Sequence, residues 1–251
     1  MKQFFDEMWK AISDFKFYRE VKDFSAGKST KYILSVVLLI SLVLTVRYSY
    51  GMGKGLNIAV EWMKKNLPVI EIKDGAAVVS AEQPYEILQD DFAVILDTTG
   101  KTTSLDGRKK GILLMKDKIV YKENESKTEI YSLADIKALR IDENFMNAIR
   151  KNAIWIIFPF LLLGIYLYMA IARFIQILLF SLITIFASAV TKVKLTYSQI
   201  FNIGAYAITA SMLFGAVAAL FLKVIPGAGW VYCGMYIVYL ATGVLNCKEA
   251  Q

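Results

Sequence analysis

IWIIFPFLLLGIYLYMAIARFIQILLFSLITIFASAV, residues 154–190, holds one charge, Arg173, and one other strongly polar side chain, Gln176. A run of 18 or more apolar residues is long enough to cross a bilayer. Tyr32 to Val46, Gln199 to Leu222 and Gly229 to Leu245 repeat the pattern. The chain is 56% hydrophobic, above the roughly 45–50% of soluble domains, and its mean hydropathy is +0.46. The expected fold is that of a membrane protein, mainly α-helical. About four transmembrane helices, or alternatively five, would carry a small α+β extracytoplasmic domain with an antiparallel sheet.

The choice between four and five turns on residues 154–190. As one helix this stretch would be about 55 Å long, against an apolar core of about 30 Å. Two short crossings would need a turn near Arg173, and Met169 to Ile175 contains no Gly, Pro, Asn or Ser. One crossing also leaves Lys192 and Lys194 on the cytoplasmic side, as the positive-inside rule prefers. One long helix is therefore favoured, its outer turns packing against the soluble domain.

The remaining segments follow from this frame. Residues 1–31 read as a cytoplasmic amphipathic interfacial helix, with Phe5, Met8, Trp9, Ile12 and Phe15 at helical spacing. Packing of that helix on a soluble partner is the alternative. Residues 32–50 form the first transmembrane helix, with Tyr48 and Tyr50 as interface anchors. A cleavable signal peptide is disfavoured, because the apolar run starts late and no A-x-A site follows it. Residues 51–153 form the extracytoplasmic domain, and 154–251 a transmembrane bundle of helices at 154–190, 199–222 and 229–246.

Within 51–153, Leu56 to Asn66 reads as a short helix stopped before Pro68. Strands are expected at 69–72 and 76–80 around an Asp74-Gly75 turn. Further strands are expected at 92–96, 112–115, 119–122 and 129–133. Ser132-Leu-Ala-Asp135 has the form of a capping box opening a helix toward the membrane.

Composition removes whole classes of chemistry. There is no histidine, so Ser-His-Asp and Cys-His catalysis and histidine zinc sites are excluded within this chain. The two cysteines, Cys233 and Cys247, lack metal or redox spacing. No P-loop and no G-x-G-x-x-G occurs. Of the net charge of +7, five charges lie beside or within the apolar segments and two in residues 1–31, whereas 51–153 is charge-balanced. No basic stripe marks a nucleic-acid partner. The apolar segments contain no Asp or Glu, which disfavours an ion-coupled carrier acting alone. Asp97-Thr98-Thr99-Gly100 resembles an aspartic-protease loop, but the second loop such a site needs is absent. It reads as a strand ending in a turn. No catalytic residue, cofactor site or metal site is expected.

The remaining candidates are contacts with partners or lipid. Arg173, the one ion inside an apolar segment other than those at its ends, either snorkels to an interface or meets a headgroup or partner. Trp9 and Phe5 belong to the interfacial helix. Gly204 and Gly215, with Ala207, Ser211 and Ala218, permit close helix approach within the bundle or to a partner.

Several segments together resemble one family. Asp14-Phe-Lys-Phe-Tyr-Arg19, Pro84-Tyr-Glu-Ile87, Val94-Ile-Leu-Asp-Thr98, Leu114-Met-Lys-Asp-Lys118 and Leu195-Thr-Tyr-Ser-Gln-Ile-Phe201 occur in the order and spacing of the bacterial DUF1189 membrane proteins. Asp14-Phe15 stands where that family usually has Ser-Pro. The resemblance implies a bacterial inner-membrane protein; Lys28 and Lys31, which precede the first span, place its N-terminus in the cytoplasm. Some members are labelled maltodextrin-utilisation accessory proteins, and the later spans are similar to the Yip1-type membrane domain. The expected function is that of a non-enzymatic accessory or scaffold protein for a transporter or envelope complex. Its partners would be the lipid bilayer and a membrane protein or a second copy of the chain. A small-molecule or lipid-binding sensor is the alternative.

Overall fold

The computed structural model describes residues 2–89, 91–191, 193–221 and 227–247, with the backbone alone over 186–191. Lys192, used above for orientation, and Leu222, the last residue of the expected 199–222 helix, lie outside these residues. The chain divides into two compact units, Met1–Tyr50 with Ile156–Gln251, and Gly51–Trp155.

The first unit is helical. Helix α1 covers Lys2–Ser13, a 3-10 turn Phe15–Phe17, and α2 Tyr18–Val21. The expectation of one helix through the N-terminal segment is corrected at Asp14. That residue leaves the helical region (φ −126°, ψ 95°), and its carboxylate accepts from the Lys16 amide at 2.9 Å, restarting the chain as a 3-10 turn. A short acceptor side chain competes with the helical ladder in this way. The buried stripe is also rotated from the expected one. Phe4, Met8, Ala11 and Phe15 pack on the core, while Phe5 and Trp9 are exposed.

Helix α3 runs unbroken from Ala26 to Asn66, 41 residues or about 62 Å. The separate helix expected at 56–66 is the end of this one. Gly51, Gly53 and Gly55 each cost only about 1 kcal/mol in a helix, and none removes a backbone donor. The stop is Leu67-Pro68, because the residue before proline is driven out of the helical region. Helix α4 covers Glu143–Thr191, passing through Pro159 and Arg173 without a break. Helices α5 (Tyr197–Phe221) and α6 (Ala228–Asn246) complete the set. Four helices are thus long and apolar enough to cross a membrane, and the fifth crossing considered from sequence is not present among the described residues.

Helix α5 is the centre of this unit. Residues 200–212 are buried throughout, as expected for a helix apolar on all sides. Ile33, Val36 and Val37 of α3, Ile177 of α4, Tyr236 and Leu240 of α6, and Tyr18 and Val21 of α2 share its core. Glycines set the closest approaches. A Cβ on Gly243 would lie 2.9 Å from Tyr18 Cδ1 and 3.0 Å from Ile203 Cγ2.

Among the described residues, the second unit holds eight strands. Strands β1 (Ile70–Lys73), β2 (Ala76–Val79) and β8 (Ala138–Ile141) form an antiparallel sheet in the order β2-β1-β8. Strands β3 (Tyr85–Gln89), β4 (Phe92–Leu96), β5 (Lys110–Leu114), β6 (Lys118–Asn124) and β7 (Lys127–Ser132) form a second sheet in sequence order. The turn between β1 and β2 places both Asp74 (φ 48°) and Gly75 (φ 78°) in the left-handed region, the geometry a two-residue hairpin with right-handed twist requires.

Three expectations are corrected here. There are two sheets, and β4 pairs with β5 in parallel, so the second sheet is mixed. Strand β3 was not anticipated. Ser132 opens no helix; its hydroxyl accepts from the Ala134 amide in a turn, and β8 follows. The cap of α4 is Asp142, which accepts from the Phe145 amide at 2.9 Å. That hydrogen bond lowers the Asp142 pKa, with Arg140 adding to it.

Alternation along β4 and β5 supplies two cores. Leu96 and Leu114 face Ile70, Ile72, Ala77 and Val79 of the first sheet. Ala93, Ile95 and Leu113 point to the opposite face, where Leu105 of the β4–β5 loop covers them. Helix ends within this unit are tied together as well. Lys64 Nζ donates to Asn147 Oδ1 at 2.7 Å, and Arg150 Nη1 pairs with Glu61 Oε1 at 3.0 Å.

Candidate functional site

The densest polar arrangement in the helical unit surrounds Glu7, on the core-facing stripe of α1. Its carboxylate accepts from Tyr206 Oη of α5 at 2.9 Å and from Gln3 Nε2 at 3.1 Å. Lys28 Nζ lies 3.1 Å away, and the same ammonium sits 3.2 Å from the centroid of the Phe24 ring. Tyr206 stacks on Tyr32 of α3 at 3.8 Å, and Tyr32 Oη shares a hydrogen bond with Thr209 Oγ1 at 2.9 Å. Beneath this cluster, Asn202 Nδ2 donates to the carbonyls of Lys22 and Phe24. The connection between α2 and α3 is thereby fastened to α5. The Tyr32, Tyr206 and Glu7 oxygens and the Asn202 amide nitrogen each acquire a partner, as burial demands.

Beside the cluster opens a groove of about 330 Å³, lined by Gln3, Phe4, Glu7, Lys28, Lys31, Tyr32 and Ser35. It lies between α1 and the first turns of α3. Its lining combines two lysines, one carboxylate and two aromatic rings.

Arg173 is placed differently from the simple snorkelling side chain. Its Nη1 donates to Gln176 Oε1 at 2.6 Å and to Tyr232 Oη of α6 at 2.7 Å, and its guanidinium lies 4.7 Å from the Tyr232 ring centroid. Helices α4 and α6 are joined through it. Cation–π contact of this kind contributes about 0.5–2 kcal/mol, more as water is excluded.

Gly204 and Gly215 serve the bundle's own packing. A Cβ on Gly204 would meet Tyr236 Oη at 3.1 Å and Ile177 Cγ2 at 3.3 Å; one on Gly215 would meet Tyr232 Cδ2 at 3.5 Å. Phe5 and Trp9, 48% and 68% exposed, point away from the core. The structure therefore brings none of Arg173, Gly204, Gly215, Phe5 and Trp9 into the groove.

In the β-rich unit, Asp97 is fully buried. One carboxylate oxygen accepts from the Thr99 amide at 2.9 Å and its hydroxyl at 2.6 Å, and the other accepts from the Thr102 amide. Burial opposes ionisation, but these hydrogen bonds prevail and hold its pKa down to about 2. The carboxylate staples the β4–β5 loop.

Sequence reading missed Glu7, Lys28, Tyr32 and Tyr206. One signal was present. Glu7 stands between Phe4, Met8 and Ala11 on the stripe that packs inward, and an acid on an apolar stripe needs a donor.

Four apolar helices long enough to cross a membrane, together with a β-rich unit, are consistent with a membrane protein of mixed architecture. The chain belongs to the family described as Protein of unknown function (DUF1189), whose family model matches residues 5–244. No curated protein and no solved structure matches it.

Proposed function

We propose that this protein is a non-enzymatic accessory component of a bacterial cytoplasmic membrane. Its N-terminus would lie in the cytoplasm, and the β-rich unit would dock a partner outside, a transporter or envelope complex. The observation that carries this reading is the outer face of the five-stranded sheet. The β4–β5 loop covers only its centre, with Leu105 over Leu113 and Val120. Leu88 on one flank and Ile130 on the other are 56% and 64% exposed, on edge strands of the sheet. Exposed apolar side chains on a β surface with open edges favour association. The best acid for chemistry, Asp97, is consumed in holding the loop.

The experiment is affinity capture of the tagged full chain from detergent-solubilised bacterial membranes, compared with Leu88→Ser/Ile130→Ser. A stoichiometric membrane partner or second copy lost in the double variant supports the reading. Recovery of the wild-type chain alone, as a monomer, counts against it. Cysteine accessibility at positions near 110 and 195 tests the orientation.

A further inference from the structure

We propose that the groove between α1 and α3 seats the phosphate of an anionic phospholipid headgroup. Lys31 would be its principal cation, and the Leu38–Leu42 face of α3 the track for an acyl chain. The inference rests on the proposed bilayer placement of the helical unit and is independent of what the β-rich unit docks.

Charge inside the groove is divided unevenly. Lys28 is committed to Glu7 at 3.1 Å and to the face of Phe24 at 3.2 Å. Glu7 is in turn saturated by Tyr206, Gln3 and Lys28. Lys31 is an exposed lining residue, and no ion pair among the described residues takes it. The groove therefore keeps one uncompensated positive charge. Gln3 retains a second amide N–H beyond the one given to Glu7. A phosphodiester supplies the acceptors that both groups need.

The wall decides between a free anion and a lipid. Lys31, Ser35, Leu38 and Leu42 are spaced four, three and four apart, which puts them on one face of α3. Ser35 turns its hydroxyl inward to the Lys31 carbonyl at 2.8 Å. Above it Leu38 and Leu42 are 43% and 39% exposed. A cation at the base of an apolar stripe is the profile of a phospholipid, phosphate below and chain above. The Phe4 and Tyr32 rings close the sides. A choline headgroup would bring a third cation beside Lys28 and Lys31, so the groove favours a lipid of net negative charge.

The test is native mass spectrometry of the delipidated full chain in detergent, titrated with phosphatidylglycerol and phosphatidylcholine of identical chains. Lysine near an anionic lipid contributes about 1 kcal/mol, so about fivefold preference for phosphatidylglycerol is expected. Lys31→Gln should remove that preference and Lys31→Glu reverse it, while Lys16→Gln on the exposed 3-10 turn leaves it intact. Equal retention of the two lipids by the wild type, or an unchanged preference in both Lys31 variants, overturns the site. Displacement of phosphatidylglycerol by millimolar inorganic phosphate overturns the lipid assignment in favour of a free-anion site. Detergent-phase partitioning is measured in parallel. A chain that stays in the aqueous phase refutes the bilayer placement, whereas a detergent-bound chain without lipid preference refutes only the site.

Discussion

Tyr32 and Tyr206 lie face to face, ring centroids 3.8 Å apart and planes 7° from parallel, and this stack joins α3 to α5. Phe4 at 5.9 Å, and Phe17 and Phe24 at 5.8 and 5.9 Å, surround the pair. Aromatic side chains from five separate segments thus meet at one point. A buried aromatic pair adds about 0.5–1.5 kcal/mol beyond the area it covers. The stack also aims Tyr206 Oη at Glu7, so ring packing and the polar cluster reinforce each other.

Glu7→Ala should release α1. The substitution leaves Tyr206 Oη and Lys28 without their acceptor, a loss of about 1–3 kcal/mol. Hydrogen exchange in detergent is expected to rise over 2–13 and stay unchanged over α6. Uniform protection of α1 in the variant would show that apolar packing alone holds it.

Asp97 predicts an acid-sensitive loop. Its pKa is held at about 2 in the folded chain against 3.8 for the free side chain. A depressed carboxylate contributes stability that is present in full above about pH 4 and is lost as pH falls through 2. Protease sensitivity of residues 97–109 should therefore rise across pH 4 to 2 in the wild type. Asp97→Asn should be sensitive already at pH 7, with the slope between pH 4 and 2 removed. A slope identical in both proteins would assign the acid response to another carboxylate.

Gly243→Val should separate α6 from α2. Even a Cβ at this position would meet Tyr18 Cδ1 at 2.9 Å, and overpacking of this kind costs about 1–3 kcal/mol. A lower unfolding temperature is expected. Gly234→Val, at a position with nothing within 4 Å of the added atom, should leave it unchanged.

Asp142→Ala should loosen the first turn of α4, because the Phe145 amide loses its acceptor. Exchange protection over 143–147 is the measurement. Ser132→Ala, by contrast, touches only a turn and should leave that helix start unaffected.

The apolar helices were readable because their signal is local. Length and hydropathy of 154–190 favour one long helix, and α4 passes through Arg173 because no residue there favours a turn. The Asp74-Gly75 hairpin was readable for the same reason, since two adjacent residues carry the required positive φ. Errors arose where a local signal competed with a distant partner. Ser132 has the form of a helix cap, yet Leu133 is recruited to the core between the sheets, and the chain forms β8 before turning helical at Asp142. The parallel pairing of β4 and β5 joins strands across a loop with no periodic pattern, so pairing direction left no trace in composition.

The candidate site divides in the same way. The absence of histidine excluded histidine-dependent chemistry within this chain without any structure, since a missing residue type cannot be supplied by folding. The groove required tertiary structure, because Gln3, Glu7, Lys28, Lys31 and Tyr206 are ordinary residues whose meaning is their convergence. Hydrophobicity is a property of residues one at a time, and it settles which segments leave water. The partner a buried polar group finds depends on contacts between distant parts of the chain, 199 positions apart for Glu7 and Tyr206, and only the packed bundle decides them.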